Sequence, residues 1–173
     1  MSVTIANRQR ARKIERLLLK KITNALLVGL EVETAEIGIC LVAEPEMTRL
    51  NEIFLKHRGS TDVIAFDYSE KTAGADVRRL LREKPTPQKR SETPYVVSYK
   101  TIQGEIFVCV DEAVLQARKF GTSWQSEVVR YLVHGVLHLL GFDDSSASAR
   151  RKMKREENRW LREMTRHFPL SKL

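Results

Sequence analysis

Apolar positions along this chain come in two rhythms, continuous blocks of strand length and stripes spaced by three or four residues. Val3 to Ile5 forms a short first block, read as a strand. The basic segment from Asn7 to Leu27 then places Ile14, Leu17, Leu18, Ile22 and Ala25 on one face of a first helix, whose periodicity fades near Gly29. Ile37 to Val42 is continuously apolar, as a buried strand would be. Pro45 suits the first position of a second helix, with Met47, Leu50, Ile53 and Phe54 inward and Gly59 as its stop. Thr61 to Phe66 and Gly104 to Val110 are further strands, and Glu112 to Phe120 is a short helix ended by Gly121. Thr122 with Gln125 three residues on forms a capping box for a helix running to Leu140. A last helix begins near Ala147, with Met153, Trp160, Leu161 and Met164 inward. Its other face is basic (Arg150, Arg151, Lys152, Lys154, Arg155), offset by Glu156 and Glu157.

Between Asp67 and Tyr99 the stripes stop. Arg78, Arg79, Arg82, Lys84, Lys89 and Arg90 cluster in this stretch with Pro85, Pro87 and Pro94, as in a basic insertion with one helical turn around Val77 to Arg82. The order of elements predicts an α+β fold over residues 1–173 as a single domain: one small mixed sheet packed by about five helices.

Composition sharpens this picture in three ways. With 173 residues, 42% hydrophobic and 30% charged, the chain can bury a sizeable core, and no run approaches the ~18 apolar residues of a membrane span. Lys plus Arg exceeds Asp plus Glu by 30 to 22, a net +8 that favours a polyanionic partner such as nucleic acid. Cys40 and Cys109 both lie in strand-like runs and read as buried free thiols in a reducing, cytoplasmic setting. The amphipathic N-terminal segment resembles a transit peptide, and Ser171-Lys172-Leu173 resembles a peroxisomal address; both are read as structure.

The chemistry concentrates in His134-Gly-Val-Leu-His138-Leu-Leu-Gly141-Phe-Asp143-Asp144. Histidines four apart point the same way from a helix, so two imidazoles can meet one metal ion at its C-terminal end. Gly141 can end that helix in a left-handed turn that brings Asp143 or Asp144 back to the pair. The plainer reading is a hydrogen-bonded core pair, since each buried ring nitrogen needs a partner. Two histidines and one aspartate would leave a coordination position open, as catalytic zinc sites do. Zincin proteases place a glutamate base directly after the first histidine; Gly135 stands there, so peptidase chemistry lacks its base.

This motif closely resembles the HGxLHLxGYDH signature of the YbeY metal-dependent endoribonucleases. The resemblance extends to Leu50-Asn51, Arg58-Gly59 and Thr61-Asp62-Val63-Ile64-Ala65-Phe66, which resemble the family's LN, yRg and TDVLSF segments. Gly104-Glu105-Ile106 resembles its GDI strand, and Met153 with Glu156 or Glu157 its closing helix, so that the matches cover most of residues 37–164. The resemblance implies cleavage of single-stranded RNA in ribosomal RNA maturation and small-subunit quality control, with the small subunit and its assembly factors as partners. It places His134 and His138 on metal ligands and Arg58 on the family's functional arginine, where a guanidinium can hold a phosphate with two hydrogen bonds. Without the resemblance, Arg58 reads as a helix C-terminal cation. The family's third ligand is histidine, whereas this chain has Asp144. One divalent ion, Zn2+ first, is implied, and the carboxylate also suits iron or manganese. The same residues support two other readings: a non-catalytic ribosome-assembly factor with a structural metal, and a metal-dependent hydrolase of small molecules. A wide basic groove would favour RNA and a closed apolar pocket a small substrate.

Overall fold

Strand β2 (Thr34–Val42) runs between two cores. Its Ala35, Ile37, Ile39 and Leu41 join the main cluster on one face, and Cys40 and Val42 join a smaller one on the other. Alternation along one strand thus serves both faces, and where both are covered the sequence reads as the continuous block Ile37 to Val42. In this computed structural model, which describes residues 1–69 and 100–173, the sheet has the order β1-β2-β4-β3. β1 (Ser2–Asn7) and β4 (Thr101–Cys109) pair parallel to β2, and β3 (Val63–Asp67) pairs antiparallel to β4. The expected α+β architecture with one mixed sheet is what the chain adopts.

Five α-helices flank the sheet among the described residues: α1 (Arg16–Gly29), α2 (Glu44–Leu50), α3 (Val110–Phe120), α4 (Trp124–Leu139) and α5 (Ala147–His167). The main core holds Leu19, Ile22 and Leu26 of α1, Val133, Val136 and Leu137 of α4, and Met153, Trp160 and Met164 of α5. Helix α4 lies close on the sheet because Gly135 has no side chain; a Cβ there would sit 2.6 Å from Ile106 Cγ2. The position that carries a base in zincins therefore faces a strand here. None of the described helices is long and apolar enough to cross a membrane.

Several element boundaries and faces differ from those expected. Helix α1 begins only at Arg16, well inside the Asn7 to Leu27 segment, so the inward stripe is Leu19, Ile22, Leu26 and Leu27, while Leu17 is 70% exposed. Val110 opens α3 rather than closing β4. Beyond Leu50 the second helix continues as one π-helical turn, Asn51–Leu55. A π-turn takes an extra residue and rotates the residues after it by about 100°. Ile53 and Phe54, expected inward, are therefore 59% and 57% exposed. Lys56 (φ 61°) makes the left-handed exit, and Gly59 (φ 84°) lies in the loop beyond. The N-cap of α4 is Ser123, whose hydroxyl accepts from Ser126 N, while Thr122 Oγ1 donates to Glu127 Oε1 at 2.7 Å. The basic insertion, with its expected turn at Val77 to Arg82, lies outside the described residues save for Asp67 to Ser69. Leu173 is buried, and its carbonyl accepts from Glu15 N at 2.8 Å, so Ser171-Lys172-Leu173 is part of the fold.

Candidate metal centre

Helix α4 ends where Gly141 adopts φ 82°, a conformation cheap only for glycine. Gly141 N donates to His138 O at 2.8 Å and Phe142 N to Leu137 O at 3.0 Å, which folds the chain back over the last turn. The returning segment brings Asp144 Oδ2 to 3.9 Å from Nε2 of both His134 and His138. The two Nε2 atoms are 3.0 Å apart. One donor atom each from His134, His138 and Asp144 lies within 4.8 Å of the others, the grouping expected from the sequence. The neighbouring Asp143 turns away: its carboxylate accepts from the backbone N of Ser145 at 2.9 Å and from the Ser145 hydroxyl. Those two bonds hold its pKa below the usual carboxylate range.

The outer face of each imidazole decides what the inner face can do. His138 Nδ1 lies 3.0 Å from Phe142 O, and His134 Nδ1 lies 3.1 Å from Glu157 Oε2. A carbonyl oxygen and a carboxylate can only accept, so both Nδ1 atoms carry the proton. Both Nε2 atoms then present lone pairs to one shared space, beside a carboxylate oxygen. That donor set fits a divalent cation, which accepts lone pairs from imidazole nitrogen and carboxylate oxygen. Burial, then the neighbouring charge of His134, pushes the pKa of His138 down and favours its neutral, ligating form.

The site also contains two residues without a role in the sequence reading, Glu157 as a support and Arg130. Glu157, on α5, is 4% exposed, and it accepts from Lys154 Nζ at 2.7 Å and Arg130 Nη1 at 2.9 Å besides His134. Burial alone would raise its pKa; the bonds from His134, Lys154 and Arg130 reverse that and hold it at about 2. Arg130 also reaches Glu127 Oε2 at 3.2 Å and Asn158 Oδ1 at 2.9 Å. The sequence carries a signal for each. Glu157 lies four residues after Met153 and three before Trp160, inside the apolar stripe of α5. Arg130, His134 and His138 recur every four residues along α4.

The site opens into a groove of about 1020 Å³. Arg150, Arg151 and Lys154 of α5 line it together with Asp62, Glu112 and Glu127, so the groove is of mixed charge rather than uniformly basic or apolar. Arg58 is not brought into the site. It is exposed on the loop after the π-turn, and Ser60, Thr61 and Asp62 from that loop line the groove instead.

The chain as a whole has relatives among known proteins. The family model described as Endoribonuclease YbeY matches residues 4–165. The chain is similar to an Endoribonuclease YbeY of Salinibacter ruber, 33% identical over 125 residues that make up 72% of this chain and 68% of the relative. It is 35% identical to one from Arthrobacter sp. over 119 residues, 69% of this chain and 64% of the relative. Another, from Chlorobium luteolum, is 27% identical over 166 residues, 96% of this chain and 100% of the relative. A solution structure of a Thermotoga maritima protein shares the fold, with a TM-score of 0.58 and 22% identity over 98% of this chain and 95% of that one.

Proposed function

The chain belongs to the YbeY endoribonuclease family, and from that premise we propose that it is a metal-dependent endoribonuclease. Its substrate is single-stranded RNA, cut during ribosomal RNA maturation and small-subunit quality control in the cytoplasm. The small ribosomal subunit and its assembly factors are its partners.

The observation that carries this reading is the convergence of His134 Nε2, His138 Nε2 and Asp144 Oδ2 on one space beside a groove that His134 and Asp144 line. Those three side chains would hold the ion, zinc in the first instance, with iron or manganese also suited to a set containing a carboxylate. A divalent ion held there would supply Lewis acidity and would lower the pKa of a water towards neutrality. The chain's own residues do the rest. His138 and His134 keep their protons on Nδ1 and their lone pairs on the site. Arg58, on an exposed loop whose continuation lines the groove, swings onto a phosphate of the bound strand and holds it with two hydrogen bonds. Arg150 and Arg151 lie along the groove where a polyanionic backbone would run. Three protein donors favour a catalytic over a structural metal, since structural zinc is normally closed by four.

The test pairs metal analysis of protein purified without chelator with cleavage of a defined single-stranded RNA. Stoichiometric metal and cleavage, both lost in His134→Ala, are expected. Cleavage that survives removal of the metal, or an Arg58→Ala protein with full turnover, would overturn the mechanism. A metal-bound protein that binds RNA but never cuts it would favour the assembly-factor reading.

A further inference from the structure

The two histidines are supported unequally. His138 Nδ1 meets a backbone carbonyl within its own helix-ending turn, a partner any sequence would supply. His134 Nδ1 meets a side chain 23 residues away on another helix, Glu157 Oε2 at 3.1 Å. That carboxylate is buried and made rigid from two other directions, by Lys154 Nζ at 2.7 Å and Arg130 Nη1 at 2.9 Å. Arg130 is itself fixed by Glu127 and Asn158, and Glu127 in turn by Thr122 at the start of α4. A buried carboxylate needing two cations is costly to assemble, and removing one partner from such a group leaves an uncompensated charge.

We propose that Glu157 is a positioning residue of the metal centre, acting through His134. Resting on the metal-site reading above, it assigns Glu157 three effects on the ligand. The carboxylate keeps the His134 proton on Nδ1, fixes the ring plane so that Nε2 faces His138 and Asp144, and raises the basicity of that nitrogen. Lys154 and Arg130 serve the same end indirectly, by leaving Glu157 one free oxygen, Oε2, directed at the imidazole. The competing account is that Glu157 merely ties α5 to α4 through Arg130, with His134 a bystander.

The two accounts separate in experiments on the full chain. In metal-free wild-type protein above the imidazole pKa, 15N spectra of the histidine rings should show His134 protonated on Nδ1. This measurement requires no variant to fold and no metal to bind. Zinc affinity, measured by competition with a chromophoric chelator, should fall about 10- to 100-fold in Glu157→Gln, with His134 becoming a mixture of tautomers. Glu157→Asp, which keeps the charge, should recover part of the loss. Lys154→Ala retains the carboxylate and should lower thermal stability while shifting zinc affinity much less than Glu157→Gln does. A His134 protonated on Nε2 in the wild type overturns the proposal, as does a folded Glu157→Gln protein with unchanged zinc affinity. Failure of the metal reading looks different, because then His134→Ala and His138→Ala would also leave zinc binding untouched.

Discussion

Every ring nitrogen of His134 and His138 is aimed, two at fixed acceptors and two at a shared space, whereas Arg58 is exposed and has no side-chain partner among the described residues. The histidines sit on a sixteen-residue helix with Val133, Val136 and Leu137 in the main core. Arg58 sits on a loop reached through a π-turn whose Ile53 and Phe54 are largely exposed. The loop backbone is tied on both sides of Arg58, by Asn51 Nδ2 to Gly59 O at 2.8 Å, Gly59 N to Glu52 Oε1 at 3.4 Å and Cys109 N to Asp62 O at 2.9 Å, while the Arg58 side chain is left exposed. The contrast fits the two tasks proposed for these residues. A metal ligand set gains affinity from being in place beforehand, since misplaced donors must be reordered at a cost. A residue that grips a long, variable polyanion gains from reach, and loops supply it.

If the division is right, the largest effects come from the rigid region. His134→Ala or His138→Ala should each abolish stoichiometric metal and RNA cleavage while leaving the far-ultraviolet circular dichroism near wild type. Full metal content in either variant breaks the assignment. Next comes the loop. Arg58→Ala should bind metal normally yet lose about 10²- to 10³-fold in turnover, the usual consequence of removing one donor aimed at developing charge. Arg58→Lys should recover only part, because an ammonium lacks the planar fork. A metal defect in Arg58→Ala would dissolve the distinction between the two regions.

The two neighbouring aspartates sharpen the boundary of the rigid site. Asp144→Ala should weaken metal binding by more than about tenfold, by analogy with the loss of an orienting partner. Asp143→Ala should do so far less, since its carboxylate is occupied by Ser145. Asp144→His removes a negative charge from the ligand set. It should keep one metal per chain and move the rising limb of the pH–rate profile to lower pH. The reverse order of the two alanine variants would reassign the third ligand.

The smallest effect is on acid stability. Glu157 is held at about 2 in the folded chain, below its ordinary 4.5. The unfolded chain therefore binds more protons between those values. The stability Glu157 contributes is complete above 4.5 and is lost as pH falls towards 2. Acid unfolding of the metal-free protein should be shallower over that window in Glu157→Gln, whereas Arg58→Ala should leave its slope as in wild type. Equal slopes for Glu157→Gln and wild type would remove Glu157 from the rigid region.

Much of the candidate site is legible in the sequence because it is local. The i,i+4 spacing of His134 and His138, the glycine at 141 and the aspartates at 143 and 144 all act within two helical turns, where spacing sets direction but leaves the choice between the two aspartates open. The faces of α1 and α2 depart from expectation where their phase depends on something non-local. Leu17 falls on the inward stripe only if Ile14 is helical, whereas Ile14 is buried from the irregular segment before α1. Ile53 and Phe54 turn outward because of a π-turn for which hydrophobic spacing carries no mark.

By itself, then, the sequence determined the class of fold, the helix that carries the histidines and a turn that returns one of two neighbouring aspartates to them. These depend on periodicity and on backbone preferences of single residues. The tertiary structure alone decided that His134 is the partner of Glu157, that Asp144 and not Asp143 faces the histidines, and that Arg58 lies on an exposed loop outside the groove lining. The neighbouring Glu156 pairs along its own helix with Arg159 at 3.4 Å. The reason is that periodicity fixes angles around one helix axis, while contacts between helices depend on how two axes are rotated and shifted against each other. That relation is set here by the buried faces of α4 and α5 packing into one core.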